Sequence, residues 1–122
     1  MTEHSVPADR WRAELRRRLL LARKDRDAAR TNLLRSALSV IDNAETPDGP
    51  VPSAGAIADS AVGPGAADIA RRVLTDDEIR ALIQGEVDER RCAADQIMRA
   101  HPDRAEALRA EADHLETFLC EV

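Results

Sequence analysis

Outside residues 46–73, the 122-residue chain holds two prolines, Pro7 and Pro102, and one glycine, Gly85. Proline removes a backbone donor and fixes φ, and glycine loosens the chain, so long stretches nearly free of both are available for helix. Apolar residues in those stretches recur every three or four positions, the helical period. Trp11 and Phe118 are the only aromatics and there is no tyrosine. Leu, Ile, Val and Ala must therefore fill the core, as in a simple helical bundle.

The first predicted helix runs from about Asp9 to Lys24, with Pro7 just upstream. Trp11, Leu15, Leu19 and Ala22 share one face, and Arg10, Arg17 and Lys24, seven apart, form a basic stripe elsewhere. Leu20 and Leu21 lie off the main apolar face. Either they pack on a second neighbour, the normal arrangement for a bundle helix and the one favoured here, or they are exposed beside the stripe. The second helix starts near the stretch Arg26–Arg30, with Asp25 or Asp27 able to cap it. Its core face is Leu34, Ala37, Leu38, Ile41 and Ala44. No Gly or Pro separates these two helices, so one long helix is the alternative.

The third helix has the clearest start. Thr75 is an N-cap with Glu78 three residues on, a capping box, and Leu74 and Ile79 stand at staple positions. Ile79, Leu82, Ile83, Val87, Ala94 and Ile97 form its stripe. Arg90 falls on that stripe and needs an acidic partner on the fourth helix, for which Glu111 stands at the matching height. Pro102 suits a first helical position. Ala105, Leu108, Ala112, Leu115 and Leu119 then follow a heptad seam, so the third and fourth helices are expected to pair antiparallel.

Residues 46–73 contain four of the six prolines and four of the five glycines. Disorder is the first reading of such a segment, although Ile57, Val62 and Ile69 could let it lie on the helices. Its Gly-Pro-Gly lacks the Lys-Ser/Thr and preceding strand of a phosphate loop. The expected fold is all-α: one domain over 1–122, an up-down four-helix antiparallel bundle with this long Gly/Pro/Ala-rich loop between the second and third helices.

The net charge of −5 is unevenly spread. Arg10–Arg35 holds ten basic residues against three acidic ones, while Ser36–Val122 holds eight against eighteen. The basic stretch points to a nucleic-acid- or membrane-facing patch, or to packing beside acidic helices in the same bundle. No apolar run approaches the 18 or so residues of a membrane span, and no signal-peptide segment follows Met1, so a cytoplasmic location is expected. Cys92, Cys120, His4, His101 and His114 fit no metal spacing, and no cofactor is expected. Ser36 and Ser39 have no nearby histidine, and Asp76 and Asp77 read as helix-start charges, so no catalytic residues are assigned.

Taken in order, several pieces of the chain resemble the GatB/YqeY family. They are Leu34 and Arg35 on a helix ending at Glu45, Leu74 to Glu78, Glu86-Val87 with Arg90-Arg91, and Phe118-Leu119-Cys120 closing an acidic helix. The resemblance covers most of the chain outside 46–73. It implies a non-catalytic helical module linked to tRNA or to subunits of a tRNA-dependent amidotransferase, a glutamine-dependent carbon-nitrogen ligase. It also implies that relatives continue past the Phe-Leu-Cys position into a second helical subdomain, associated with tRNA binding. On that reading Phe118, Leu119 and Val122 form an apolar tip. The 46–73 loop, a second copy of the chain or another partner would have to cover it. The alternative function is a protein-interaction or homodimerising bundle built on this tip, with no nucleic-acid role.

Overall fold

The computed structural model describes residues 6–46 and 72–122. Its regular elements are four helices: α1 (Pro7–Lys24), α2 (Ala28–Glu45), α3 (Asp76–Ile97) and α4 (Pro102–Glu121). No strand occurs among the described residues. The described part of the chain is thus all-α. Ile57, Val62, Ile69 and nearly all of the expected Gly/Pro/Ala-rich loop lie outside the described residues.

Each helix end has a local cause. Pro7 opens α1, Asp9 lies in its first turn, and Arg23 and Lys24 close it, charges that suit the helix dipole. The break before α2 needs no glycine, because Arg26 adopts the left-handed region at φ 57°. The Asp27 N–H then returns to the Ala22 carbonyl at 2.9 Å. The Asp27 side chain caps α2 by accepting from the Arg30 N–H at 3.0 Å. Two separate helices result rather than one long one. At α3 the capping box is complete: Thr75 Oγ1 accepts from the Glu78 N–H at 3.0 Å, and Glu78 Oε1 accepts from the Thr75 N–H at 2.9 Å. A tight turn closed by His101 N–H to the Ile97 carbonyl, 2.7 Å, leads to Pro102 and α4.

The helices pack as two hairpins, α1–α2 and α3–α4. The main core joins Trp11 and Leu15 of α1, Leu34 and Ile41 of α2, Ile79, Ile83 and Val87 of α3, and Ala112, Leu115 and Phe118 of α4. These α3 residues run from its start to its middle, and the α4 residues come from its second half. A smaller cluster of Ala94, Ala105 and Leu108, flanked by Ala93 and Ile97, fills the other end of the α3–α4 hairpin. Four helices thus share a core at one end of the molecule, and two at the other.

Two expectations from the sequence are corrected. Leu20 and Leu21 do not meet a second neighbour; they are 56% and 48% exposed. Phe118 is not part of an exposed tip. It is 3% exposed, because Trp11 packs on it edge-on with ring centroids 5.8 Å apart. The Arg18 guanidinium covers its ring at 4.9 Å. Leu119 packs partly buried against the core, and Val122 is left 41% exposed.

A left-handed non-glycine residue carries strain of about 1–2 kcal/mol, most for β-branched side chains. Arg26 is exposed, so its substitution reads the backbone alone. Arg26→Val is expected to destabilise the domain by about 1–2 kcal/mol, while Arg26→Gly leaves it unchanged or slightly more stable. Thermal melts of the two variants check this.

Candidate basic binding surface on the first hairpin

The charged side chains of α1 divide by what they touch. At its first turns they fasten the bundle. Arg12 Nη1 and Nη2 each donate to Glu45 Oε1 at 3.0 Å, and Nη2 also reaches Oε2 at 3.1 Å. Glu45 is only 5% exposed, so this pair ties the start of α1 to the end of α2 with little water between them. Arg10 Nη2 reaches both oxygens of Asp76, at 3.1 and 3.0 Å, and Trp11 Nε1 donates to the same carboxylate at 2.8 Å. Asp76, read from sequence as a helix-start charge, thus also joins α1 to α3.

In the middle of α1, Arg17 and Arg18 share a carboxylate of the same helix. Glu14 accepts from Arg17 Nε and Nη2 at 3.1 and 2.7 Å and from Arg18 Nε at 2.7 Å. Arg18 extends to Glu121 on α4 at 2.8 Å. The hydrogen bonds from Arg17, then Arg18, pull the Glu14 carboxyl from its ordinary 4.5 to about 2, against a smaller opposing effect of burial. Of the predicted stripe, Arg10 and Arg17 therefore spend their charge on Asp76 and Glu14. Lys24 has no ion pair among the described residues. The spacing of Glu14 three and four residues before Arg17 and Arg18 was the sequence signal for this pairing.

Four cations without an ion pair among the described residues cluster where α1 turns into α2, and Arg16 stands further up α1; Arg72, Arg99 and Arg104 also make none but lie apart from this turn. Arg16, Arg23, Lys24, Arg26 and Arg35 are exposed and make no ion pair with the described residues. Arg23, Arg26 and Arg35, with Thr31 and Asn32, line a shallow cleft of about 390 Å³. Sequence reasoning missed this set because it followed a single heptad stripe. Arg16 and Arg23 form a second stripe, and the turn brings Arg26 and Arg35 beside it.

A second concavity lies on the other side of α1, between α1, α2 and α4. It measures about 380 Å³ and is floored by Leu21, Leu33, Leu34, Leu115 and Phe118, with Arg17, Arg18, Arg30, His114 and Glu121 around it.

The remaining predicted residues serve the α3–α4 hairpin. Arg90 Nε donates to Glu111 Oε1 at 3.0 Å, and its Nη1 reaches Glu86 Oε1 at 2.8 Å. Arg91 next to it donates to Glu116 at 2.8 Å and Asp113 at 3.0 Å. Cys92 and Cys120 are free and exposed. No His/Cys/Asp/Glu group able to hold a metal is found among the described residues. No helix among them is long and apolar enough to cross a membrane. Compared with protein-family models, curated proteins and solved structures, the chain matches none.

Because the folded pKa of Glu14 is depressed, its pairing contributes stability that is full above about pH 4.5 and is lost as pH falls through about 2. A carbon-detected NMR titration is expected to place the Glu14 carboxyl near 2. Glu14→Gln is expected to flatten the pH dependence of Tm across that window.

Proposed function

We propose that the chain is a non-catalytic helical module of the GatB/YqeY type that holds RNA through its phosphates, acting in the cytoplasm beside tRNA or amidotransferase subunits. The observation that carries this reading is the group of cations that make no ion pair with the described residues, Arg23, Lys24, Arg26 and Arg35 at the α1–α2 turn and Arg16 further up α1. Most other arginines of the described residues are tied to carboxylates or to main-chain oxygens, so the surplus charge of the basic stretch is concentrated there. Phosphate neutralisation supplies essentially all of non-specific nucleic-acid affinity. Base stacking has no support, since both aromatic rings are buried in the core. The resulting binding would be weak, salt-sensitive and indifferent to sequence. The resemblance to the family is what directs the reading toward tRNA rather than polyanions at large.

A protein-interaction or homodimerising bundle is the second reading. It no longer rests on Phe118, which is covered within the domain. It rests on Leu20 and Leu21, whose exposure leaves apolar surface on α1.

A titration of the domain with tRNA decides between them. Dissociation constants of about 10⁻⁴–10⁻⁶ M at physiological salt are expected, with log K falling against log salt at a slope of roughly −3 to −5. Combined Arg23→Glu, Arg26→Glu and Arg35→Glu should abolish binding, while Arg10→Glu should change it little. Salt-independent binding, or binding that survives the triple reversal, removes the phosphate reading.

A further inference from the structure

We infer that the cleft at the α1–α2 turn is a seat for a terminal phosphate monoester, the charged end of an RNA strand. This deepens the RNA reading and rests on it. Arg23, Arg26 and Arg35 line the cleft together with Ala28, Thr31 and Asn32. Asp25 and Asp27 of the same turn do not line it. Its volume of about 390 Å³ falls within the roughly 300–1,000 Å³ of small-molecule sites, room for a phosphate and the sugar that bears it. Ala28, Thr31, Asn32 and Arg35 stand at helical spacing along α2, on one face of the helix. The turn sets that face beside Arg23 and Arg26. The three arginines make no ion pair with the described residues, and the Thr31 hydroxyl and Asn32 amide make no hydrogen bond with them. Every polar side chain of the cleft wall is therefore open to an incoming anion.

The chemistry of the cleft selects a monoester over a backbone diester. A diester carries a single charge and two free oxygens. A monoester carries about −1.5 to −2 charge at neutral pH and three strong acceptor oxygens. Arginine forks pair bidentately with phosphate oxygens, and three of them in one concavity exceed what one diester can occupy. The Thr31 hydroxyl and the Asn32 amide add neutral donors at the same place. Arg16 and Lys24, outside the cleft, are left for the diesters that follow along the strand. The backbone of the turn supports the assignment. Arg26 sits in the left-handed region at φ 57°, where a glycine would be unstrained. Strain of this kind gathers at positions that hold ligands.

The test compares a short single-stranded RNA oligonucleotide bearing a 5′-monophosphate with the same strand ending in a 5′-hydroxyl. Both carry a 3′ fluorophore, and anisotropy is read at one salt concentration. The phosphorylated strand is expected to bind about tenfold more tightly, the gain of a hydrogen bond to a charged group. Arg26→Gly, which relieves the turn and keeps the fold, should erase most of that gain, and so should Arg35→Gln. Arg16→Gln should weaken both strands by the same factor. Circular dichroism melts confirm that the variants fold. Equal binding of the two strands overturns this proposal and leaves the RNA reading standing, whereas binding of neither overturns both. A gain that survives in Arg26→Gly and Arg35→Gln places the strand end elsewhere and also overturns the proposal. Adenosine 5′-monophosphate, titrated in parallel, is expected to bind far more weakly than the phosphorylated strand. Equal affinity would give the cleft to a free nucleotide and overturn its assignment to an RNA end.

Discussion

The meeting of Trp11 with Asp76 holds the two hairpins in one fold. The Trp11 ring is nearly out of water, so its indole N–H must find an acceptor or pay a desolvation penalty of about 1–3 kcal/mol. Asp76 supplies that acceptor from the first turn of α3, where the helix dipole favours an anion. The same ring lies edge-on to Phe118 and beneath the guanidinium of Arg80, 5.2 Å from its centroid. Arg80 in turn donates to the main-chain oxygens of Leu119 and Val122, at 2.9 and 2.8 Å, satisfying carbonyls that α4 leaves without helical partners. One indole thereby connects α1 to the start of α3 and the end of α4. The exposed Arg10–Asp76 ion pair adds little by comparison, since such pairs contribute about 0–1 kcal/mol.

This arrangement explains where charge is left over. Arginines at the start of α1 close the bundle, with Arg12 on the buried Glu45 and Arg10 on Asp76. Breaking a pair as buried as Arg12–Glu45 would strand one charge at a cost of about 3–5 kcal/mol. In the middle of α1, Glu14 and Glu121 absorb Arg17 and Arg18. Past Leu19 the acidic residues of the turn are Asp25 and Asp27, of which Asp27 reaches only Arg30, at 3.8 Å, and Arg23, Lys24, Arg26 and Arg35 make no ion pair with the described residues. The proposed RNA surface lies on this hairpin.

Much of the fold was legible in the sequence. The capping box of Thr75 and Glu78, the seam through Ala105, Leu108, Ala112 and Leu115, and the position of Arg90 opposite Glu111 all follow from helical spacing. The break at Arg26 was less visible, because a left-handed arginine leaves no compositional mark of the kind glycine does. Phe118 was misread as a tip because its cover, Trp11, lies more than a hundred residues away in sequence, and periodicity reports only which residues share a face. The basic surface was half legible. The surplus of charge in Arg10–Arg35 was plain, but which cations remain unpaired depends on Asp76 and Glu121, contributed by other helices.

The direct test of the account is a double-mutant cycle at the joint. Trp11→Phe removes the indole N–H while keeping a ring against Phe118, and Asp76→Ala removes its acceptor. If this hydrogen bond couples the hairpins, the stabilities of the two single variants and the double variant should give a coupling energy of about 1–2 kcal/mol. A coupling within about 0.3 kcal/mol of zero would mean that the hairpins are held by something other than the Trp11–Asp76 contact, and would contradict the account.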